Sequence, residues 1–207
     1  PLVRMLDHGM NAQAALDSPR WRWNREGTLD VEPTFAPEIG AGLAAHEERD
    51  FEDGEHKARP LVSVRGKDVH VVQSLHGGPD ASANDKFCKL LFFLSTLRDN
   101  GASRVTAHIP YLAYARKDRQ TKSRDPVTTQ YMARLLEAAG ADCVVTLDVH
   151  NIVAFQNAFR CRSVHLDTRA LFAPEIAALA GAGNVAVVSP DPGGVKRAQL
   201  LREMLEK

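Results

Sequence analysis

Short apolar runs alternate with longer amphipathic stretches over most of the chain. Runs rich in β-branched residues predict buried strands at 69–74, 104–111, 141–150 and 185–189. Apolar residues that recur every three or four positions predict a helix that Asn84 or Asp85 caps and that ends near residue 100, and further helices at 127–139, 168–180 and 195–206. Strands that alternate with such helices form right-handed crossovers. The pattern therefore predicts an α/β fold with mostly parallel sheets flanked by helices.

The beginning of the chain has a weaker pattern. Residues 1–35 show no clear period, and Trp21–Trp23 fits either a strand or a loop. A short helix is expected at 36–46. The polar segment DFEDGE at 50–55 then predicts a hairpin or an exposed turn, because the pair Asp53-Gly54 is common in tight turns.

The overall composition is that of an ordinary soluble globular protein. Charged residues make up 25% and hydrophobic residues 44% of the chain, and the formal net charge is zero, which argues against a broad electrostatic grip on nucleic acid. No apolar run approaches the roughly 18 residues of a membrane span, so no membrane partner is expected. Cys88 and Cys143 lie in apolar segments, and we expect them to be reduced core residues of a cytoplasmic protein.

A basic loop, residues 116–125, follows the strand predicted at 104–111. Two aromatic residues, Tyr111 and Tyr114, precede its five cations, which are Arg116, Lys117, Arg119, Lys122 and Arg124. Cations offset phosphate charge and guanidinium groups stack on flat rings, so this stretch suits a polyphosphate with an attached base. Charge alone equally fits a solvated loop. Gly77-Gly78 could also cradle a phosphate, although a plain loop is the better interpretation there.

Polar residues follow several of the predicted strands, and in folds of this class ligands bind at the carboxyl ends of strands. Asp148 and His150 are two positions apart, so on a strand their side chains would leave the same face. Asp191 follows another predicted strand, before Gly193-Gly194 and a helix. These groups could hold Mg²⁺ beside phosphates; alternatively, Asp191 caps a helix and the other two form a strand-end pair. Together with the basic loop they predict a magnesium–nucleotide site for phosphoryl or diphosphoryl transfer, without a Walker or GxGxxG motif.

Four long motifs occur in order along the chain: FEDGE at 51–55, SVRGKDVHVVQS at 63–74, YLAYARKDRQTKSRDPVTTQYMARLLEAAGADCVVTLDVH at 111–150, and VVSPDPGGVKRAQ at 187–199. Together they resemble the ribose-phosphate diphosphokinase family over about residues 36–207. The resemblance implies Mg²⁺-dependent transfer of the β,γ-diphosphoryl group of ATP to the 1-hydroxyl of ribose 5-phosphate, which makes phosphoribosyl diphosphate (PRPP). It also implies two phosphoribosyltransferase-like domains: an ATP-binding and oligomer-forming domain at 1–165, and the first part of a second domain at 166–207.

The resemblance also implies roles for individual residues around ATP. Arg116 would stack on the adenine and Asp118 would support its loop. Lys117 stands where the family usually has glutamine and can serve a phosphate as a point charge. The tip of a hairpin would reach into the ATP site of a neighbouring subunit, so the complete site would require a homo-oligomer. The residues of this hairpin tip are Phe51, Asp53, Gly54 and Glu55.

For the metal, the resemblance implies that His150 and Asp191 are magnesium ligands, with Asp148 nearby. The family's catalytic lysine–arginine loop and its ribose-5-phosphate loop are expected after residue 207, so the 207 residues by themselves are expected to be inactive. Two alternatives remain open. A non-catalytic regulatory relative would have no need of metal ligands, and a phosphoribosyltransferase that uses PRPP would have no use for the hairpin motif together with the basic loop.

Overall fold

The computed structural model describes residues 21–23, 29–31, 46–79, 81–181 and 183–206. These residues divide into two compact units, the larger ending at Leu166 and the smaller beginning at Asp167.

Two antiparallel strand pairs lie in the first part of the larger unit: β1 (Trp21–Trp23) with β2 (Leu29–Val31), and β3 (His46–Asp50) with β4 (His56–Pro60). The tryptophan segment is therefore a strand rather than a loop. The helix predicted at 36–46 lies outside the described residues except for His46, which begins β3 instead.

A four-stranded parallel sheet forms the centre of the larger unit. Its strands lie side by side in chain order: β5 (Asp68–Val72), β6 (Arg104–Ile109), β7 (Cys143–Leu147) and β8 (Arg162–Leu166). Three helices connect them: α1 (Ala83–Asp99), α2 (Thr128–Ala138) and α3 (Ile152–Ala158). The predicted α/β fold, with a parallel sheet flanked by helices, is confirmed.

One apolar core joins this sheet to its helices. Val105, Ala107 and Ile109 alternate along β6 and are fully buried, as are Leu94 of α1 and Leu136 of α2. The two-residue period of the strand and the three-to-four spacing of the helices thus bring their apolar residues to a common surface. Burial of this surface is the main force that holds the layers together.

The start of α1 is set by a capping box. Ser82 accepts a hydrogen bond from the backbone N–H of Asp85, and the Asp85 carboxylate accepts one from the backbone N–H of Ser82. The prediction that Asn84 or Asp85 caps this helix is therefore wrong. Ser82 is the N-cap because its side chain and that of Asp85, three positions later, together satisfy two otherwise unpaired N–H groups at the start of the helix.

The β3–β4 hairpin packs against α1. The ammonium group of Lys89 lies 2.6 Å from the carboxylate of Asp50, and the His56 ring stacks on Phe92 with the ring centroids 5.4 Å apart. The predicted hairpin around the DFEDGE segment is confirmed, and α1 provides the surface that holds its strands.

The smaller unit is helical where it has regular structure: α4 (Arg169–Ala180), a short 3₁₀ turn (Pro192–Gly194) and α5 (Val195–Leu205). The prediction of a strand at 185–189 is wrong. This run pairs with no strand among the described residues, and the Val188 side chain is 81% exposed. β-branched residues favour a strand only when a neighbouring strand takes up their backbone N–H and C=O groups.

The two cysteines expected in the core have different environments. Cys143 is buried, whereas Cys88 is exposed because it lies off the α1 stripe that contains the buried Phe87 and Leu90. Over the described ranges, no helix combines the length and the apolar character needed to cross a membrane.

Candidate functional site

An open cleft of about 630 Å³ lies at the carboxyl ends of β5 and β6. His76 and Asn84 line one side of it, from the loop after β5 and the first turn of α1. Tyr111, Tyr114 and Arg116 line the other side, from the loop after β6. The His76 and Tyr111 rings meet edge-on, with their centroids 5.3 Å apart. The volume falls in the usual range for small-molecule sites, roughly 300–1,000 Å³, and the walls combine aromatic rings with a cation.

The basic loop (residues 116–125) is held in shape by its own side chains. One carboxylate oxygen of Asp125 accepts hydrogen bonds from Lys117 Nζ at 2.5 Å, Thr121 Oγ1 at 2.7 Å, and the backbone N–H groups of Thr121 and Lys122 at 3.1 and 3.0 Å. These donors hold the pKa of the Asp125 carboxyl well below its usual range, and the hydrogen bond from Lys117 contributes most to this shift. Lys117 also lines the cleft, but it is half-buried and its ammonium group is paired inside the loop, whereas Arg116 is exposed on the cleft wall.

The backbone is strained at three non-glycine residues on this edge of the sheet: φ is 60° at Tyr114, 68° at Arg124 and 39° at Asp148. The strain at Tyr114 is supported by contacts at both ends of the residue. Its hydroxyl donates to Asn84 Oδ1, and its carbonyl accepts from Thr128 Oγ1 at 3.0 Å. Residues with strained backbone cluster at binding and catalytic sites, where the surrounding structure compensates for the strain.

The β7 turn, residues 148–151, brings a second group of predicted residues to the same edge. β7 ends before Asp148, so the prediction that Asp148 and His150 leave one face of a strand is wrong. The positive φ of Asp148 takes the backbone out of the extended conformation, and both side chains are exposed. Asn151 Nδ2 donates a hydrogen bond of 2.6 Å to Asp118 Oδ2 and thereby joins the β7 turn to the basic loop.

The hairpin tip, residues 51–55, carries the other residues predicted to contact ATP. Phe51 is 40% exposed, and the Arg49 guanidinium lies 5.2 Å from its ring centroid. Asp53 Oδ1 accepts from the Glu55 N–H at 3.1 Å, and Gly54 turns the chain with φ of 88°. The hydrogen bonds of the tip thus stay within the hairpin, and its aromatic and acidic side chains face solvent.

Asp191 belongs to the smaller unit, where it caps the 3₁₀ turn. Its Oδ1 accepts from the Gly194 N–H at 2.8 Å, and its carbonyl accepts from Ser189 Oγ at 2.6 Å. A Cβ at Gly194 would lie 2.5 Å from Ser189 Oγ, so the glycine permits this close turn. The capping role is therefore observed.

The residues predicted to bind metal suit an ion that needs few protein ligands. No group of three or more histidine, cysteine or acidic side chains comes together in the part of the chain that the structure describes. Mg²⁺ keeps several waters and is usually held by one or two carboxylates together with substrate phosphates. The exposed Asp148 and His150 of the larger unit could take part in binding of that kind, and Asp191 of the smaller unit separately offers a carboxylate.

Three further residues shape the site without having been predicted to do so. Asn151 stands directly before α3 and caps it, a position that the sequence signals. Asp125 lies among cations, so an ion pair within the loop was foreseeable. The contact between Asn84 and Tyr114 joins residues 30 positions apart and has no local signal.

Comparisons with known proteins agree on one family. A family model for the N-terminal domain of ribose phosphate pyrophosphokinase matches residues 28–140. Similar curated relatives include the ribose-phosphate pyrophosphokinases of Mycoplasma genitalium, 40% identical over 75% of this chain and 46% of the relative, and of Fusobacterium nucleatum, 37% identical over 86% of this chain and 55% of the relative.

A solved structure gives the same result. The phosphoribosylpyrophosphate synthetase from Mycobacterium smegmatis is 33% identical, with a TM-score of 0.74, and the match covers 81% of this chain and 55% of that one. The chain spans about half the length of the curated relatives that it matches.

Proposed function

The chain belongs to the ribose-phosphate pyrophosphokinase family, and on that premise we propose that the full-length protein transfers the diphosphoryl group of ATP to ribose 5-phosphate. The 1-hydroxyl oxygen of the sugar attacks the β-phosphorus of ATP and forms a new P–O bond. The bond from that phosphorus to the oxygen bridging the α-phosphate breaks, AMP leaves with that oxygen, and the hydroxyl proton is released. The products are PRPP and AMP.

The observation that carries this proposal is the cleft at the carboxyl ends of β5 and β6. Arg116 stacks on the adenine there, and Asp118 supports the basic loop behind it. Lys117, which lines the cleft and pairs with Asp125, serves a phosphate as a point charge. The exposed cations of the loop offset the charge of the phosphates, which matters because phosphoryl transfer depends mainly on positioning and charge neutralisation.

His150 and Asp191 are each proposed as ligands of Mg²⁺, with Asp148 nearby. When bound, the ion neutralises phosphate charge and orients the transferred group. The chain's own contribution is to hold these groups in place: the β7 turn presents His150, and the capped 3₁₀ turn presents Asp191.

The hairpin tip supplies the link to a partner. Phe51, Asp53, Gly54 and Glu55 reach the ATP site of a neighbouring copy, so the active form is a homo-oligomer. The exposed Phe51 ring supports this, because an aromatic residue at the tip of a rigid hairpin suits a subunit contact. The free cysteines suit a reducing compartment, and the cytoplasm is the proposed location.

The test is calorimetric titration of ATP into the full-length protein with and without Mg²⁺, together with an assay for AMP and PRPP. Binding to the wild type is expected to depend on Mg²⁺, and His150→Ala is expected to weaken it by about 10–100-fold, the usual range when a metal site is disturbed. His70→Ala is the matched control, because it removes an exposed imidazole from β5.

Equal Mg²⁺-dependent binding in His150→Ala and the wild type would refute the metal role. Binding of ATP without formation of AMP and PRPP would favour the non-catalytic regulatory alternative. PRPP consumed rather than made, with a base as acceptor, would favour the phosphoribosyltransferase alternative.

A further inference from the structure

The basic loop and the β7 turn belong to different strand ends, and one side chain joins them. Asn151 Nδ2 donates to Asp118 Oδ2 at 2.6 Å, across 33 residues of sequence. Asn151 Oδ1 accepts from the backbone N–H groups of Val153 and Ala154, at 3.1 and 3.2 Å, at the start of α3. Both ends of the amide are therefore in use.

The chemistry of the two partners determines which way this amide points. A carboxylate oxygen such as Oδ2 of Asp118 accepts the hydrogen bond here, and the N–H groups of Val153 and Ala154 can only donate. Asparagine offers one donor end and one acceptor end at the right separation. Aspartate would place a second carboxylate against Asp118. Serine would keep the cap, but its single oxygen stands where asparagine has Cγ, one bond short of the amide nitrogen that donates to Asp118.

The bridge lies between two residues that are proposed to bind ligands: Arg116 for the adenine of ATP and His150 for Mg²⁺. Asp118 lies two positions after Arg116, and Asn151 directly follows His150. A rigid link between the two segments fixes the adenine-binding group relative to the metal-binding group before ligand arrives. Sites that hold their groups in place in this way lose little order on binding.

We propose that Asn151 is a positioning residue that sets the spacing between the nucleotide loop and the metal-binding turn; this role rests on the proposed function. Asn151 touches neither ATP nor the metal itself. Its effect passes through Asp118 on one side and through the start of α3 on the other. The carboxamide is the group required, because it alone satisfies both partners.

The test compares four variants of the full-length protein by steady-state kinetics at varied ATP and Mg²⁺. Asn151→Ser keeps the cap and removes the bridge, and it is expected to lower kcat/KM for ATP by about tenfold. Asn151→Asp is expected to lower it by up to about 100-fold, the upper range for residues that orient ligand-binding groups. Asn157→Ala removes an exposed amide from the same helix and is expected to stay within about twofold of wild type.

The fourth variant reverses the bridge. In Asn151→Asp with Asp118→Asn, the new carboxylate still caps α3, and the new amide at 118 donates to its other oxygen. This double variant is expected to recover most of the activity that Asn151→Asp loses. A purely structural role at 151 predicts no such rescue. The inference is overturned if Asn151→Ser behaves like Asn157→Ala, or if the double variant is no better than Asn151→Asp.

A second readout needs no catalysis. Hydrogen exchange of the amides at 112–125 in the ligand-free protein is expected to be faster in Asn151→Ser than in the wild type or Asn157→Ala, and equal exchange would overturn the bridge. If the wild type makes no AMP and PRPP, the proposed function fails, and the exchange comparison still decides whether Asn151 orders the basic loop.

Discussion

Asp142 ties together three segments at the amino-terminal edge of the sheet, and its removal gives a stability prediction. Its Oδ2 accepts from the Val105 N–H at 2.7 Å, at the start of β6. Its Oδ1 accepts from the Arg98 guanidinium at the end of α1. Arg98 Nε in turn donates to the Gly140 carbonyl at 2.8 Å, just before β7. This pair therefore joins one helix end to two strand starts.

The substitution Asp142→Asn isolates the charged part of this network. The amide oxygen can still accept from Val105, so the expected loss lies on the Arg98 side, where the ion pair is lost and the new amide NH2 group faces the guanidinium donors. Hydrogen bonds to charged groups contribute about 1.5–3 kcal/mol. Arg98 and Asp142 side chains are 30% and 37% exposed, so solvent screening favours the lower end. We expect unfolding to become easier by about 1.5 kcal/mol.

Urea unfolding of the full-length protein, followed by circular dichroism, measures this loss. At a slope of about 1–3 kcal/mol per molar urea, the midpoint should fall by roughly 0.5–1.5 M with the slope unchanged. The control is Asp68→Asn, because Asp68 pairs with Arg104 at 3.7 Å and both side chains are more than 40% exposed. That change should stay within about 0.5 kcal/mol. Equal effects of the two substitutions would refute the assigned role of Asp142.

Two further predictions concern the core and the sheet. Leu94→Ala should destabilise the protein by about 2–5 kcal/mol, since Leu94 is fully buried, whereas Leu179→Ala, at 88% exposure, should change stability by under about 0.5 kcal/mol in the same urea assay. Burial and the adjacent His70 lower the pKa of His108 in the folded protein. The contribution of His108 to folding stability is therefore complete above its unfolded pKa of about 6.5, and it is lost as the pH falls through its lower folded pKa. Unfolding measured at pH 7.5 and 5 should show this decline, and His108→Gln should reduce it; the same decline in both proteins would contradict the argument.

The prediction of the fold from sequence succeeded where local pattern and tertiary contact agree. The period of α1 and the alternation along β6 lead to the same buried surface, so both elements were found within a few residues. The ends were less certain. β6 stops before Pro110, which has no N–H to donate, and β7 stops where Asp148 takes a positive φ. The run at 185–189 failed as a strand because pairing depends on a neighbour that its own residues do not specify.

The candidate site also has features that could be predicted from the sequence and features that could not. The basic loop with its aromatic neighbours is one short stretch of sequence, and the acidic and imidazole groups after β7 form another, so the chemistry of each could be read directly. The pairing of Asn151 with Asp118 and of Tyr114 with Asn84 could not be, because each joins loops that follow different strands.

The sequence by itself determined the α/β class, the hairpin, the basic loop and the family resemblance, because periodicity, turn chemistry and charge are local properties of the chain. Only the tertiary structure decided that the carboxyl ends of neighbouring parallel strands bring the cleft, the strained backbone and the Asn151 bridge to one edge. The physical reason is that a hydrogen bond of under 3 Å between residues about 30 positions apart depends on how strands lie side by side, and that arrangement is fixed by burial of a shared core rather than by any short stretch of residues.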